Sequence, residues 1–229
     1  MSEIYALNIH EAVEDKVYCD LFHVLSETRK EKTKKYKFEI DAKRSICAEV
    51  LIRFILCRKF QTSYSNVEIL FQYNPYGKPY IDDMAGQYFN ISHGGNWVVC
   101  AWSDKEIGVD VDRIKDIDLG VAEHYFSKSE YEELIQKDGD DRQRRFMDYW
   151  TLKESYVKYK GRGLSIPLDS ISFHFENGKV YYNSESETDI YFHMLDIDKE
   201  HKLALCSMDP GLESIRFISI GEIWETLCQ

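Results

Sequence analysis

The sequence predicts an α+β fold made of two similar halves, and three observations predict it. Apolar residues recur at helical spacing in two long segments, 41–60 and 146–157. Short runs of alternating apolar character, bounded by turn residues, follow each of them. The pair YFNIS…WVVCAWS in the first half also resembles YFHML…KLALCSM in the second, which suggests an internal duplication with its junction near Asp104. A duplicated fold of this kind places a ligand in the cleft between its halves.

The first long helix is read over Asp41 to Phe60, with Ile46, Val50, Leu51, Phe54 and Ile55 on one side. VEILFQ, YFNIS, WVVCAW and EIGVDVD follow as strands. YNPYGKPY, dense in turn residues, is expected as a loop between the first two, and SDKE as the short link between the last two. SKSE, Ser127 to Glu130, has capping-box spacing and opens a helix to about Gln136. DGDD interrupts it, and the next helix, which contains WTLKESYVK, stops at Gly161. ISFHFENGKVYYN reads as a hairpin whose Asn177-Gly178 pair suits a type I′ turn. YFHMLDI, KLALCS and RFISI add strands, and a short helix carries Ile223, Trp224 and Leu227.

With 229 residues, 44% of them hydrophobic, the chain can bury a substantial core. No stretch is apolar enough to span a bilayer, and the N-terminal segment lacks the layout of a signal peptide, so the expected location is cytoplasmic, without membrane contact. Six cysteines without a CxxC pair point to free, mostly buried thiols. A net charge of −11 argues against a nucleic-acid partner. The charge is uneven, because Thr28 to Arg44 carries eight Lys or Arg against three acids. That run is either a solvated face or a local site for a small polyanion.

Three further stretches carry charges with two readings each. In WTLKESYVK, Phe146, Tyr149, Trp150, Tyr156 and Val157 form a broad apolar arc, with Leu152 at its margin. Lys153 points into that arc, while Glu154 and Lys158 share one edge at i,i+4, the spacing of an ordinary solvated ion pair. IGVDVD places Asp110 and Asp112 on one face of a strand, where two like charges need water or a cation to relieve them. Oxygen-only ligands of this type suit Mg²⁺. NISHGGNW sets His93 at a strand end before two glycines, as a structural histidine or as part of a phosphate site.

Taken together, YGKP (Tyr76 to Pro79), FNISH (Phe89 to His93), IGVDVD, FSKSE (Phe126 to Glu130) and WTLKESYVKYKGRGLS (Trp150 to Ser165) resemble the Sfp-type 4′-phosphopantetheinyl transferases. The resemblance runs from about residue 26 to residue 170. It implies the family's pseudo-twofold fold as a monomer, with the active site in the cleft. Residues 1–104 would form the N-terminal half, with the coenzyme A 3′-phosphate and nucleotide contacts. Residues 105–229 would form the C-terminal half, with the metal site, the catalytic helix and the docking surface. The implied reaction is the Mg²⁺-dependent transfer of the 4′-phosphopantetheine group of coenzyme A to a serine of an apo acyl or peptidyl carrier protein, releasing adenosine 3′,5′-bisphosphate.

By the same resemblance, Asp110, Asp112 and Glu154 match the metal ligands, Glu154 also the base, and Lys158 the lysine on the pyrophosphate. Arg29, Lys32, Arg44, Lys78, Ser92 and His93 match coenzyme-binding positions, with Asp110 and Lys158 beside them. Asp112 stands where the family often has Glu. Glu130 is either functional or a helix cap, and Lys153 either snorkels or pairs with a carboxylate. Ile114, Ile117, Leu119 and Phe126 are the expected docking residues. The alternative reading is a noncatalytic coenzyme A or carrier-binding module of the same fold.

Overall fold

The computed structural model describes residues 1–61, 71–82, 86–184 and 187–229. One order of elements occurs twice along the chain. The first half runs β1 (Ser2–Asn8), α1 (Asp15–His23), α2 (Glu27–Thr33), α3 (Glu39–Phe60), the ribbon β2 (Phe71–Tyr73) and β3 (Pro79–Ile81), then the hairpin β4 (Tyr88–Gly94) and β5 (Trp97–Ser103). The second runs β6 (Ile107–Arg113), α4 (Leu119–Tyr125), α5 (Lys128–Ile135), α6 (Gly139–Lys160), the ribbon β7 (Phe173–Glu176) and β8 (Lys179–Tyr182), then β9 (Tyr191–Leu195) and β10 (His201–Ser207). Each third helix, α3 and α6, is 22 residues long. The antiparallel order β1-β5-β4 in one sheet is repeated as β6-β10-β9 in the other.

The chain end departs from this repetition. Strand β11 (Leu212–Ile218) crosses back to pair in parallel with β1, and α7 (Ile220–Cys228) packs against α1 and α3. Residues 212–229 therefore complete the first sheet and its helical layer, although they follow the second half in sequence. The expected strand RFISI begins earlier, at Leu212, and stops at Ile218. It stops because Ser219 caps α7 in a reciprocal capping box with Glu222.

Most of VEILFQ lies outside the described residues, which resume at Phe71. YNPYGKPY, expected as a loop, is a tight hairpin whose ends pair as β2 and β3. Asn74 closes it: its backbone N–H donates to the Lys78 carbonyl at 3.0 Å, and its Oδ1 accepts the Tyr76 and Lys78 amides, each at 2.9 Å. In the β7–β8 hairpin, Asn177 and Gly178 both have positive φ, 49° and 76°, as a type I′ turn requires.

The strands alternate faces and so build four layers. Ile4, Ala6, Val99 and Ala101 of the first sheet meet Ile107, Val109, Val111, Leu203 and Leu205 of the second in an apolar layer between the sheets. The opposite faces, for example Tyr5, Leu7, Val98 and Cys100, pack on α1, α3 and α7. Ala204 and Cys206 pack with the apolar side chains of α6. Leu152, assigned by periodicity to the margin of the α6 arc, is fully buried. Helix α6 lies against β6 and β10 on one side and α5 on another, so its buried surface is wider than one stripe.

Two close approaches set the geometry around the seam, the first within the second half and the second between the halves. A Cβ at Gly108 would stand 2.1 Å from the Ser155 carbonyl, so β6 and α6 touch through backbone. A Cβ at Gly94 would stand 2.3 Å from the Val111 carbonyl, which brings β4 against β6. Asn90 and Ser92 of β4 then supply side-chain acceptors to the Val109 and Val111 amides, at 2.8 and 3.3 Å. Gly108→Ala is expected to push α6 off β6, destabilising the protein by about 1–3 kcal/mol and lowering activity. A thermal melt with a parallel activity assay checks this, and an unshifted melt would show that the contact can relax.

Candidate active site

The seam opens into a cleft of about 530 Å³ between the halves, whose lining includes Arg29, Lys32, Ser92, His93, Asp110, Asp112, Glu154 and Lys158. The local reasons are plain. Asp110 and Asp112 occupy the β6 face that Gly108 leaves open to α6. Glu154 and Lys158 sit on the α6 edge turned toward that face. Ser92 and His93 end β4 where it crosses β6.

Lys158 is the hub. Its ammonium lies 2.5 Å from Asp110 Oδ1 and 2.8 Å from Ser92 Oγ. The Ser92 hydroxyl in turn donates to Asp110 Oδ1 at 2.8 Å. Burial is the main influence raising the Glu154 carboxyl above its ordinary pKa; the Asp110 charge adds to it, Lys158 opposes it, and Asp112 adds further. Burial, followed by the charges of Lys158 and Arg44, holds the His93 imidazole below its ordinary value, although the ring opens to the cleft.

Asp112 turns partly aside: its Oδ1 accepts the Arg113 amide at 2.7 Å, and its Oδ2 pairs with Lys115 at 3.0 Å. With Asp110 held by Lys158 and Asp112 by Lys115, no three His, Cys, Asp or Glu side chains among the described residues are grouped to hold a metal ion. The donor chemistry nevertheless suits a hard divalent cation. Three carboxylates share one cleft, and the charges of Asp110 and Asp112 add to burial in raising Glu154.

Two expected coenzyme-binding residues also brace the fold. Lys78 lies 3.1 Å from Glu106 and donates to the Ile107 and Tyr159 carbonyls at 3.2 and 3.1 Å, pinning the β2–β3 hairpin to β6 and α6. Arg44 donates through Nε and Nη2 to the Gly95 carbonyl and pairs with Asp41, so it braces the turn after His93. Lys78 lines an adjoining pocket that shares Glu154 and Lys158 with the central cleft.

Lys153 and Glu130 have a defined place. Both are fully buried and lie 2.7 Å apart. Lys153 also donates to the Leu168 and Ile171 carbonyls. Glu130 accepts the Ser127 amide in the expected capping box and, with its other oxygen, the Phe173 amide at 2.9 Å. Glu130 is therefore both cap and buried counter-ion. Burial lowers the Lys153 pKa, and the Glu130 charge pulls it back up.

A second groove of about 270 Å³ adjoins the cleft, lined by Lys115, Asp116, Ile117, Asp118, Val121, Phe146 and Met147, with Asp112 and Trp150 shared between the two. Of the expected docking residues, Ile117 lies in it, and Ile114 and Leu119 are half-buried nearby. Phe126 is corrected: it is 3% exposed, packed on Phe146 and Tyr149, and offers no surface. It closes α4 against α6, and the core takes its ring. Tyr36, Tyr73 and Trp150 also wall the cleft; in the sequence Trp150 shows only as part of the apolar arc, and the two tyrosines carry no signal.

The chain matches known proteins over almost its whole length. Residues 106–206 match the family model described as 4′-phosphopantetheinyl transferase superfamily, and residues 13–105 that described as 4′-phosphopantetheinyl transferase, N-terminal. It is 36% identical to the 4′-phosphopantetheinyl transferase Sfp of Bacillus subtilis (strain 168) over 202 residues, 87% of this chain and 89% of the relative. It is 35% identical to the 4′-phosphopantetheinyl transferase ffp of Bacillus subtilis, over 95% of this chain and 97% of the relative. It is 32% identical to the 4′-phosphopantetheinyl transferase gsp of Aneurinibacillus migulanus, over 94% and 90%. The chain belongs to the 4′-phosphopantetheinyl transferase family.

Proposed function

We propose that this transferase takes its phosphopantetheine from coenzyme A and delivers it to a serine of an apo acyl or peptidyl carrier protein, releasing adenosine 3′,5′-bisphosphate. The observation that carries this reading is the cleft itself: three carboxylates and Lys158 converge at one end, and Arg29, Lys32 and His93 line it with them. A noncatalytic binding module would need no base, whereas this cleft keeps all three carboxylates together with Lys158.

Glu154 accepts the serine proton: its carboxylate lines the cleft with Asp110 and Lys158, and among the described residues no hydrogen bond or ion pair occupies it. The serine oxygen bonds to the phosphorus that carries pantetheine, and the bond from that phosphorus to the bridging oxygen breaks. Lys158 offers its ammonium to the charge left on the departing phosphate. Ser92 keeps Lys158 and Asp110 in register. Arg29, Lys32 and His93 bind the 3′-phosphate end. Asp110, Asp112 and Glu154 would hold Mg²⁺, which neutralises pyrophosphate charge when bound. The adjoining apolar groove receives the carrier, and Trp150 forms the wall between carrier and coenzyme. We place the enzyme in the cytoplasm as a monomer, with residues 1–104 and 105–211 as its repeated halves and residues 212–229 added to the first rather than the second. No helix among the described residues is long and apolar enough to cross a membrane.

Coenzyme A incubated with the enzyme, Mg²⁺ and a panel of apo carriers is expected to release adenosine 3′,5′-bisphosphate only when a carrier is present. Chromatography reads this, and carrier-independent release or none with any carrier would refute the reading.

The cation follows a defined pH course. Because the folded-state pKa of Glu154 is raised, ionising it weakens the fold as pH rises from its unfolded value through its folded value. A divalent cation relieves that cost. The Mg²⁺-induced rise in Tm is therefore expected to grow with pH over this window and to flatten in Glu154→Gln. Melts with and without Mg²⁺ across pH check it, and a pH-independent gain would count against Glu154 as a ligand.

A further inference from the structure

Helix α3 buries a carboxylate that the transfer chemistry does not use. Glu49 is 1% exposed, yet it gathers donors from two helices. Its oxygens accept the Ser26 amide at 2.7 Å and the Ser26 hydroxyl at 2.8 Å, at the N-cap of α2. They accept Arg53 Nε and Nη2 at 3.0 and 2.8 Å, and Arg29 Nε at 3.4 Å. A second tether holds the other end of α2, where the buried hydroxyls of Thr33 and Ser45 lie 3.0 Å apart. Helix α2 is thus fastened to α3 at both ends, with Arg29 and Lys32 one turn apart on its cleft side.

The mode of the Arg29 contact matters. Glu49 takes the inner nitrogen, Nε, and among the described residues no hydrogen bond or ion pair occupies the two terminal nitrogens. Those nitrogens form the fork that binds two oxygens of a phosphate at once. A lysine has one nitrogen and no second point by which to be oriented. Since Arg53 already neutralises Glu49, the Arg29 charge remains available to an anion in the cleft.

We infer that Glu49 is a positioning residue that makes Arg29 a two-pronged receptor for a phosphate monoester, and that it thereby sets discrimination for the 3′-phosphorylated form of the coenzyme. This rests on the coenzyme A reading proposed above. The group recognised is a terminal phosphate, which has three unesterified oxygens and up to two negative charges, whereas a bridging diester phosphate has two such oxygens and a single charge and is the poorer match to the fork.

The test compares the affinities of the full chain for coenzyme A and dephospho-coenzyme A, measured by titration calorimetry without carrier. The wild type is expected to favour coenzyme A. Arg29→Lys, which keeps the charge but loses the anchored fork, is expected to weaken coenzyme A binding roughly tenfold or more and leave dephospho-coenzyme A unchanged. Glu49→Gln is expected to lower the same ratio, and to leave it unaltered when introduced into Arg29→Ala. A lower Tm with an unchanged ratio in Glu49→Gln, or an equal loss in the Arg29→Ala background, would assign Glu49 a purely structural role. If Glu49→Gln does not fold, an unchanged ratio in Arg29→Lys overturns the proposal. Wild-type protein that binds neither nucleotide would overturn the coenzyme reading itself, and wild-type protein that binds both equally would overturn only the discrimination.

Discussion

Glu154→Gln is expected to reduce transfer by roughly a hundredfold to ten-thousandfold, the range spanned by loss of a general base, with the fold intact. The glutamine keeps the size of the side chain and removes only its charge and basicity. Glu154 is half-buried on the outer edge of α6, and among the described residues no ion pair or hydrogen bond depends on its carboxylate. Relieved of a raised carboxyl beside Asp110 and Asp112, the variant should melt no lower than wild type in the absence of divalent cation. Single-turnover transfer rates and a melt on the same preparation decide between the outcomes. Undiminished transfer would remove Glu154 from the chemistry, and a collapsed melt would make it structural.

Lys153→Met is expected to have the largest effect on stability, about 3–5 kcal/mol, the cost of leaving one member of a buried pair alone. In a chain of this size that corresponds to a fall in Tm of about 6–20 °C. Three acceptors lose their donor at once: Glu130 and the Leu168 and Ile171 carbonyls. Glu130 remains held by the Ser127 and Phe173 amides, so its charge cannot move out to water. Adding Glu130→Gln to Lys153→Met should recover part of the loss by removing the stranded charge. Chemical denaturation of the single and double variants measures this. Additive losses in the double variant would show that the two side chains do not act as a pair.

These two residues are neighbours in sequence and opposite in role, which marks how far the sequence could be read. Periodicity placed Lys153 inside the apolar arc and Glu154 with Lys158 on its edge, and the structure keeps that division. The alternation of IGVDVD likewise puts Asp110 and Asp112 on the face away from the apolar layer. Partners were harder to read, because composition and spacing carry no side-chain direction. Arg44 and Lys78 had the residue type and place for anion binding, yet backbone carbonyls at Gly95, Ile107 and Tyr159 take their donors. Phe126 had the character of a docking residue and lies in the core. The return of β11 to β1 leaves no local pattern at all, since parallel pairing across nearly the whole chain is set by the repeated halves, whose first sheet has an edge left to fill. Glu49 was hidden for a related reason: a carboxylate inside an amphipathic helix has no signal until the helix above it is placed.

The central claim is that the cleft joins phosphopantetheine to a serine hydroxyl. Its most direct test is the intact mass of an apo carrier after incubation with the enzyme, coenzyme A and Mg²⁺, beside the same carrier with its acceptor serine replaced by alanine. The account predicts a gain equal to one phosphopantetheine group on the serine carrier and none on the alanine carrier. No gain on any serine carrier, or an equal gain on the alanine form, would contradict it.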